Sequence, residues 1–164
     1  MDLETRAIDA LRARFPGEVP AAESALGQTW VVLPRNRVQG ALRLLRDEHG
    51  FNVLMDLTCV DWLGKDTPER FCMVYELFAW PANRSLRIKC WVPVGDPEID
   101  SVSALWSSAP WAEREVWDMY GIRFRGHPDL RRLLTPMDYT GHPLRKDYPL
   151  IGHGERQNFP RFQK

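Results

Sequence analysis

Apolar residues recur along this chain with changing periods, and each period predicts a different element. Leu3, Ala7, Ala10, Leu11 and Phe15 fall at helical spacing, and Pro16-Gly17 stops the run. Residues 18–27 read as loop, and Gln28 to Leu33 is a β-rich run. A second helix is predicted to open at Pro34. It puts Val38, Ala41, Leu42 and Leu45 on one face, arginines opposite, and His49-Gly50 at its end. From Phe51 to Val60 the pattern alternates, so Phe51, Val53, Met55, Leu57 and Cys59 are expected on one side of a strand. A polar turn follows, then a strand from Arg70 to Phe78. After a turn at residues 79–85, Leu86, Ile88, Cys90 and Val92 alternate with Arg87, Lys89 and Trp91 until Pro93. Asp96-Pro97-Glu98 reads as a helix start, and a helical pattern then runs to Tyr120, broken near Ser107-Ser108.

The predicted order is α-β-α-β-β-β-α, followed by an extended tail. Short connections between the last three strands imply antiparallel neighbours. The expected fold class is α+β: two layers, a mostly antiparallel or mixed sheet with the helices on one face. Residues 1–120 form the core domain of that reading, and residues 121–164 an extended, partner-binding tail.

The stretch from Glu113 to Leu150 organises the rest. Ser108 can cap its helix, Pro110 fits the first turn, and Glu113 and Glu115 are expected near the positive end of the dipole. Ala112, Val116, Met119 and Tyr120 share a face, and Gly121 suits the end. Beyond Gly121 no sustained period continues. Such a segment cannot satisfy its own backbone polar groups unless it lies on something. Phe124, Tyr139, Tyr148, Phe159 and Phe162 argue against a solvated linker. Residues from Gly121 onward are therefore expected to make few contacts with their own domain.

Charge sharpens this division. The net charge is zero, but residues 1–120 hold 13 basic and 18 acidic side chains, a net of −5, against 9 and 4, a net of +5, in residues 121–164. A cationic tail either folds back on an acidic body or meets an acidic partner. The first residues mix acids with bases and lack an apolar run, so no signal or transit peptide is expected, and the expected compartment is the cytoplasm.

Candidate chemistry is sparse. Cys59, Cys72 and Cys90 stand alone in strand-like runs, which favours core packing over cluster ligation. His127, His142 and Asp138 would be the ligands of a stand-alone metal-dependent hydrolase, but each His is flanked by Gly or Pro and none is paired at a ligating spacing. Glu113 and Glu115 point to different helix faces. Glu113, Arg114, Asp118, Arg131, Arg132, Arg145, Lys146 and Asp147 read better as ion pairs and caps that hold irregular backbone. No phosphate-binding glycine loop or nucleophile motif occurs. A nucleic-acid role for the basic tail meets a near-neutral isoelectric point. Most tryptophans are expected in the core, with Trp91 and Trp111 exposed, and Trp106, Trp111 and Trp117 are candidates for an interface anchor.

Glu113-Arg114-Glu115, Asp118-Met119-Tyr120, His127, Arg131 and Arg132-Leu133-Leu134 stand in the order and spacing of a known signature. Gly141 to Leu150, GHPLRKDYPL, matches a second block, and Asp56 to Trp62 resembles a weaker one upstream. On these residues the chain resembles the 30-kDa subunit family of respiratory complex I, known as the C subunit in the bacterial NADH:quinone oxidoreductase. The turn from Asp138 to Gly141 is shorter than in many members, and with the sequence running to Lys164 no fusion to the 49-kDa subunit is expected.

The resemblance implies a non-catalytic structural subunit of the peripheral arm of that proton-pumping complex, on the cytoplasmic face of the bacterial inner membrane. It implies bracing of two neighbours, the terminal-cluster (B) subunit and the 49-kDa (D) subunit, which carry the terminal iron–sulfur cluster and the quinone cavity. FMN and the iron–sulfur clusters then belong to partner subunits, and this chain binds no cofactor or metal. The expected partner-facing residues are Glu113, Arg114, Asp118, Tyr120, His127, Arg131, Arg132, His142, Arg145, Lys146, Asp147 and Tyr148. Relatives in membrane-bound hydrogenases and other donor dehydrogenases imply an alternative, the equivalent component of such an assembly.

Overall fold

A computed structural model describes residues 2–19 and 22–154. Helix α1, Leu3–Arg14, begins where the Asp2 carboxylate accepts the Thr5 N–H at 2.8 Å. Strands β1, Glu23–Ala25, and β2, Gln28–Val32, pair as a hairpin. Its turn is Leu26-Gly27, with φ of 52° and 76°, the left-handed pair that matches strand twist. The loop expected at residues 18–27 is thus partly strand. Helix α2, Val38–His49, starts four residues later than expected, because Pro34 to Arg37 forms a turn. Its predicted face of Val38, Ala41, Leu42 and Leu45 is fully buried.

Three nine-residue strands carry the sheet: β3, Val53–Asp61, β4, Phe71–Ala79, and β5, Arg84–Val92. The order is β1-β2-β5-β4-β3, with β2 parallel to β5 and the other pairs antiparallel. The expected α+β class with a mixed sheet holds. Alternation on β5 is as expected. On β3 it is corrected: Leu54, Leu57 and Cys59 are buried, whereas Val53 and Met55 are exposed. The register slips between Leu54 and Asp56, so an extra residue at Met55 reverses the phase of the strand.

One face of the sheet, carrying Leu57, Tyr75, Leu77, Leu86 and Ile88, joins Ala7 and Leu11 of α1 and Leu42 of α2 in a single core. The other face keeps Val60 and Trp91 partly exposed, pairs Glu76 with Arg87, and sets the Lys89 ammonium 4.0 Å from the Trp30 ring centre.

The helix expected from Asp96 is replaced by a short strand, β6, Glu98–Asp100. It pairs in parallel with β7, Arg123–Arg125, which buries Ile99 and Phe124. A partner distant in sequence outweighs local helix propensity there. Between them lies α3, Ala109–Tyr120, with Gly121 in the left-handed conformation at its end. The Ser108 hydroxyl does not cap α3; it donates to the Leu54 carbonyl at 3.3 Å.

Candidate functional site

Helix α3 packs on β3, buries Val116, and carries buried carboxylates toward both ends. Asp118, near the C-terminal end, is the hub of the segment that follows. Its Oδ2 accepts the backbone N–H groups of Leu133, Leu134 and Thr135 at 3.0, 2.7 and 2.9 Å. Its Oδ1 accepts Arg132 Nη1 at 2.6 Å and the Thr135 hydroxyl. Burial alone would raise this carboxyl. The donors from Thr135, Arg132 and Leu134 outweigh that and hold it down to about 2. The Arg132 guanidinium also donates to the Gly141 carbonyl and lies over the Trp117 and Tyr139 rings.

A second fastener lies at the end of the β3–β4 hairpin. Arg70 bridges two carboxylates, Asp61 at 2.8 Å and Asp147 at 2.6 Å. Asp61, whose side chain is fully buried, also accepts the Lys146 backbone N–H at 2.8 Å. Arg145 donates to the Tyr120 carbonyl at 2.6 Å and lies over Phe71. His142 Nδ1 is 3.0 Å from the Asp118 carbonyl, and burial lowers its pKa. At Gly121, φ is +76° and an added Cβ would meet His142 at 2.5 Å, so the helix end and the second block fit only around glycine.

The other end of α3 is different. Glu113 accepts the Ser101 hydroxyl and the Val102 N–H, each at 2.6 Å. It is fully buried without an Arg or Lys partner among the described residues, and burial pushes its pKa up to about 7. His127 lies 3.9 Å away, with Nε2 on the Pro110 carbonyl and Nδ1 accepting the Asp129 N–H.

These contacts correct one expectation. The segment beyond Gly121 does touch its own domain, through β7 and through the fasteners at Asp118, Asp61 and Arg70. The reason is that its backbone has few partners of its own and takes donors and acceptors from the body. Most of the residues expected to face a partner also make contacts within the chain. Glu113, Asp118, His127 and Arg132 are buried against their own chain. Arg114 donates to the Arg131 and Arg132 carbonyls, and His142, Arg145 and Asp147 are bonded internally as described. Tyr120 accepts Arg145 through its carbonyl, and Tyr148 meets the Tyr139 hydroxyl at 2.6 Å. Arg131 pairs with Asp129 at the surface. The Lys146 side chain remains exposed.

The metal-hydrolase set is not assembled. His127 is tied to Pro110 and His142 to Asp118, eight residues apart along α3, or about 12 Å of helical rise. Cys59 and Cys90 share a sheet face through Met73, so Cys72 points to the opposite one. Burial pushes the Cys72 thiol up to about 11 and Cys90 up to about 12. Trp106 is buried with its indole N–H on the Asn52 carbonyl, whereas Trp111 is exposed. Phe159 and Phe162 lie outside the described residues. In sequence Arg70 is merely the start of a strand; no local pattern announces a partner 77 positions away. Among the described residues no helix is long and apolar enough to cross a membrane.

Comparison with known proteins gives a consistent result. The family model described as "Respiratory-chain NADH dehydrogenase, 30 Kd subunit" matches residues 31–154. The C subunit of NADH-quinone oxidoreductase from Geobacter sulfurreducens is 44% identical over 147 residues, 90% of either chain. "NADH-quinone oxidoreductase subunit 5" of Thermus thermophilus is 46% identical over 138 residues, 80% of this chain and 66% of that one. A solved trypsin-resistant fragment of Nqo5, residues 1–134, superposes with a TM-score of 0.70 at 38% identity, over 79% of this chain and 100% of the fragment. A chain of the membrane-bound sulfane sulfur reductase, an archaeal respiratory membrane complex, gives 0.72 at 17% identity over 99% and 96%, which shows the fold alone.

Proposed function

This chain belongs to the respiratory-chain NADH dehydrogenase 30-kDa subunit family, and from that premise we propose that it is a structural subunit of the peripheral arm of a proton-pumping NADH:quinone oxidoreductase. In this role it braces the terminal-cluster subunit and the 49-kDa subunit, which carry the terminal iron–sulfur cluster and the quinone cavity. FMN and the clusters reside in those neighbours and others of the assembly. The chain sits at the cytoplasmic face of the bacterial inner membrane through the complex and contributes geometry.

The observation that carries this reading is the use made of the signature residues. Asp118, Arg132, Arg145 and Asp147 all bond to backbone or side chains of their own chain. They fix the path of an irregular segment across a rigid body, as a brace requires. The cysteines on opposite sheet faces and the histidines tied to separate turns of α3 suit the same reading. The fold is shared with a chain of another respiratory complex, so fold alone does not select the electron donor. Sequence identity favours the NADH:quinone assembly over a hydrogenase-type one.

The test is co-purification. A tagged copy expressed in its own host is expected to bring down the other peripheral-arm subunits, identified by mass spectrometry, and membranes lacking it are expected to lose NADH:quinone reductase activity. Stoichiometric flavin, iron or zinc on the purified single chain, or unchanged activity after deletion, would overturn the reading.

A further inference from the structure

Although several of its charged signature residues bond internally, the arm also shows solvent a set of large apolar side chains. Leu134, Met137, Leu150 and Ile151 are 62%, 70%, 93% and 81% exposed. Leu134, Leu144 and Leu150, with Pro136, Tyr139 and Pro149, line a groove of about 520 Å³. Two cations border it. Arg145 is already held by the Tyr120 carbonyl and the Phe71 ring. Lys146 is anchored by its backbone N–H on Asp61, and its ammonium has no ion-pair partner among the described residues. The neighbouring carboxylate, Asp147, is held by Arg70.

We propose that this groove seats a segment of a neighbouring subunit that carries apolar side chains beside a carboxylate. The apolar groups fill the space between Leu134 and Leu150, and the carboxylate meets Lys146. The proposal rests on the scaffold reading and names the chemistry of the partner. Charge selects the occupant. A cation at the rim of an apolar groove attracts an anion more strongly once water is displaced, and it rejects a basic segment. A second copy of this chain fits poorly. Between residues 121 and 154 the arm has six basic and three acidic side chains, so a self-paired interface would bring like charge together. The arm's own charges then set its shape, while specificity comes from this groove and one lysine.

The experiment uses the full chain in its native complex. A photo-reactive side chain at position 144 is expected to cross-link to a peptide of another subunit in which an Asp or Glu adjoins apolar residues. Leu144→Glu is expected to lower co-purification of the chain with the assembly by about tenfold or more, as for a central interface anchor. Lys146→Glu is expected to lower it several-fold, and Leu26→Glu, exposed in the β1–β2 turn at the far edge of the sheet, not at all. All three should melt with the wild-type protein, since these side chains are solvent-facing. Cross-links to residues 155–164 of the same chain, to a second copy, or to a segment without an acidic residue would overturn the proposal. So would full co-purification of Leu144→Glu. If the wild-type chain fails to co-purify, the scaffold reading itself falls. If wild type and both groove variants co-purify equally, only the groove assignment falls.

Discussion

Glu113 and Asp118 sit five residues apart on α3, both fully buried, yet the protein treats them in opposite ways. Around Asp118 five donors converge, three of them backbone N–H groups of one turn, and the carboxyl is held down to about 2. Around Glu113 a serine hydroxyl and one N–H donate without a cation, and burial lifts the carboxyl to about 7. Depth alone does not decide the charge of a buried acid; the count of donors aimed at it does. The difference also marks a division of labour. The Asp118 end fastens the arm through an ion, and the Glu113 end joins α3 to the residues after β6 through a carboxyl that burial leaves only partly ionised near pH 7.

The largest effect is expected from Asp118→Ala. It leaves Arg132 and three backbone N–H groups without their acceptor in a buried place, at a cost of about 3–5 kcal/mol. For a chain of this size that lowers Tm by roughly 10 °C or more, and trypsin should then cut at Arg131 or Arg132. A variant melting within a degree or two of wild type would show that the arm is held elsewhere. Arg70→Ala comes next, at about 2–3 kcal/mol, because Asp61 is left buried without its cation. Hydrogen exchange at the Lys146 amide should quicken with it, and unchanged protection there would argue against the second fastener.

The pH response sharpens the contrast. Asp118 is depressed in the folded chain, so its contribution is present above about pH 4 and is lost as pH falls toward 2. Glu113 is raised, so the unfolded chain ionises first and stability declines as pH rises from about 4.5 to about 7. Glu113→Gln is expected to keep the fold and flatten the second slope while leaving the acid limb intact, read as Tm against pH. A variant that retained the slope would place the titrating group elsewhere. The smallest effect belongs to Asp147→Asn. Its carboxylate is half exposed, so its pair with Arg70 is worth at most about 1 kcal/mol. Urea unfolding resolves that, and a loss as large as that of Arg70→Ala would show the Asp147 pair to be the stronger half of the bridge.

The sequence by itself determined the elements whose period is local. The buried stripe of α2, the alternation of β5, and Gly50 and Gly121 as helix ends are consequences of i, i+4 and i, i+2 geometry and of left-handed backbone. It also carried the family, through residues that read as fasteners of irregular backbone. Tertiary structure alone decided the phase of β3, where one extra residue at Met55 turned Val53 to solvent, and the strand character of Glu98–Asp100, which depends on Arg123–Arg125. It also decided which way the charged residues face. Asp118 with residues 132–135, and Arg70 with Asp147, are pairs separated by 14 to 77 positions. Such distances leave no mark in a local pattern, because the electrostatic need that joins them arises only once burial has removed water.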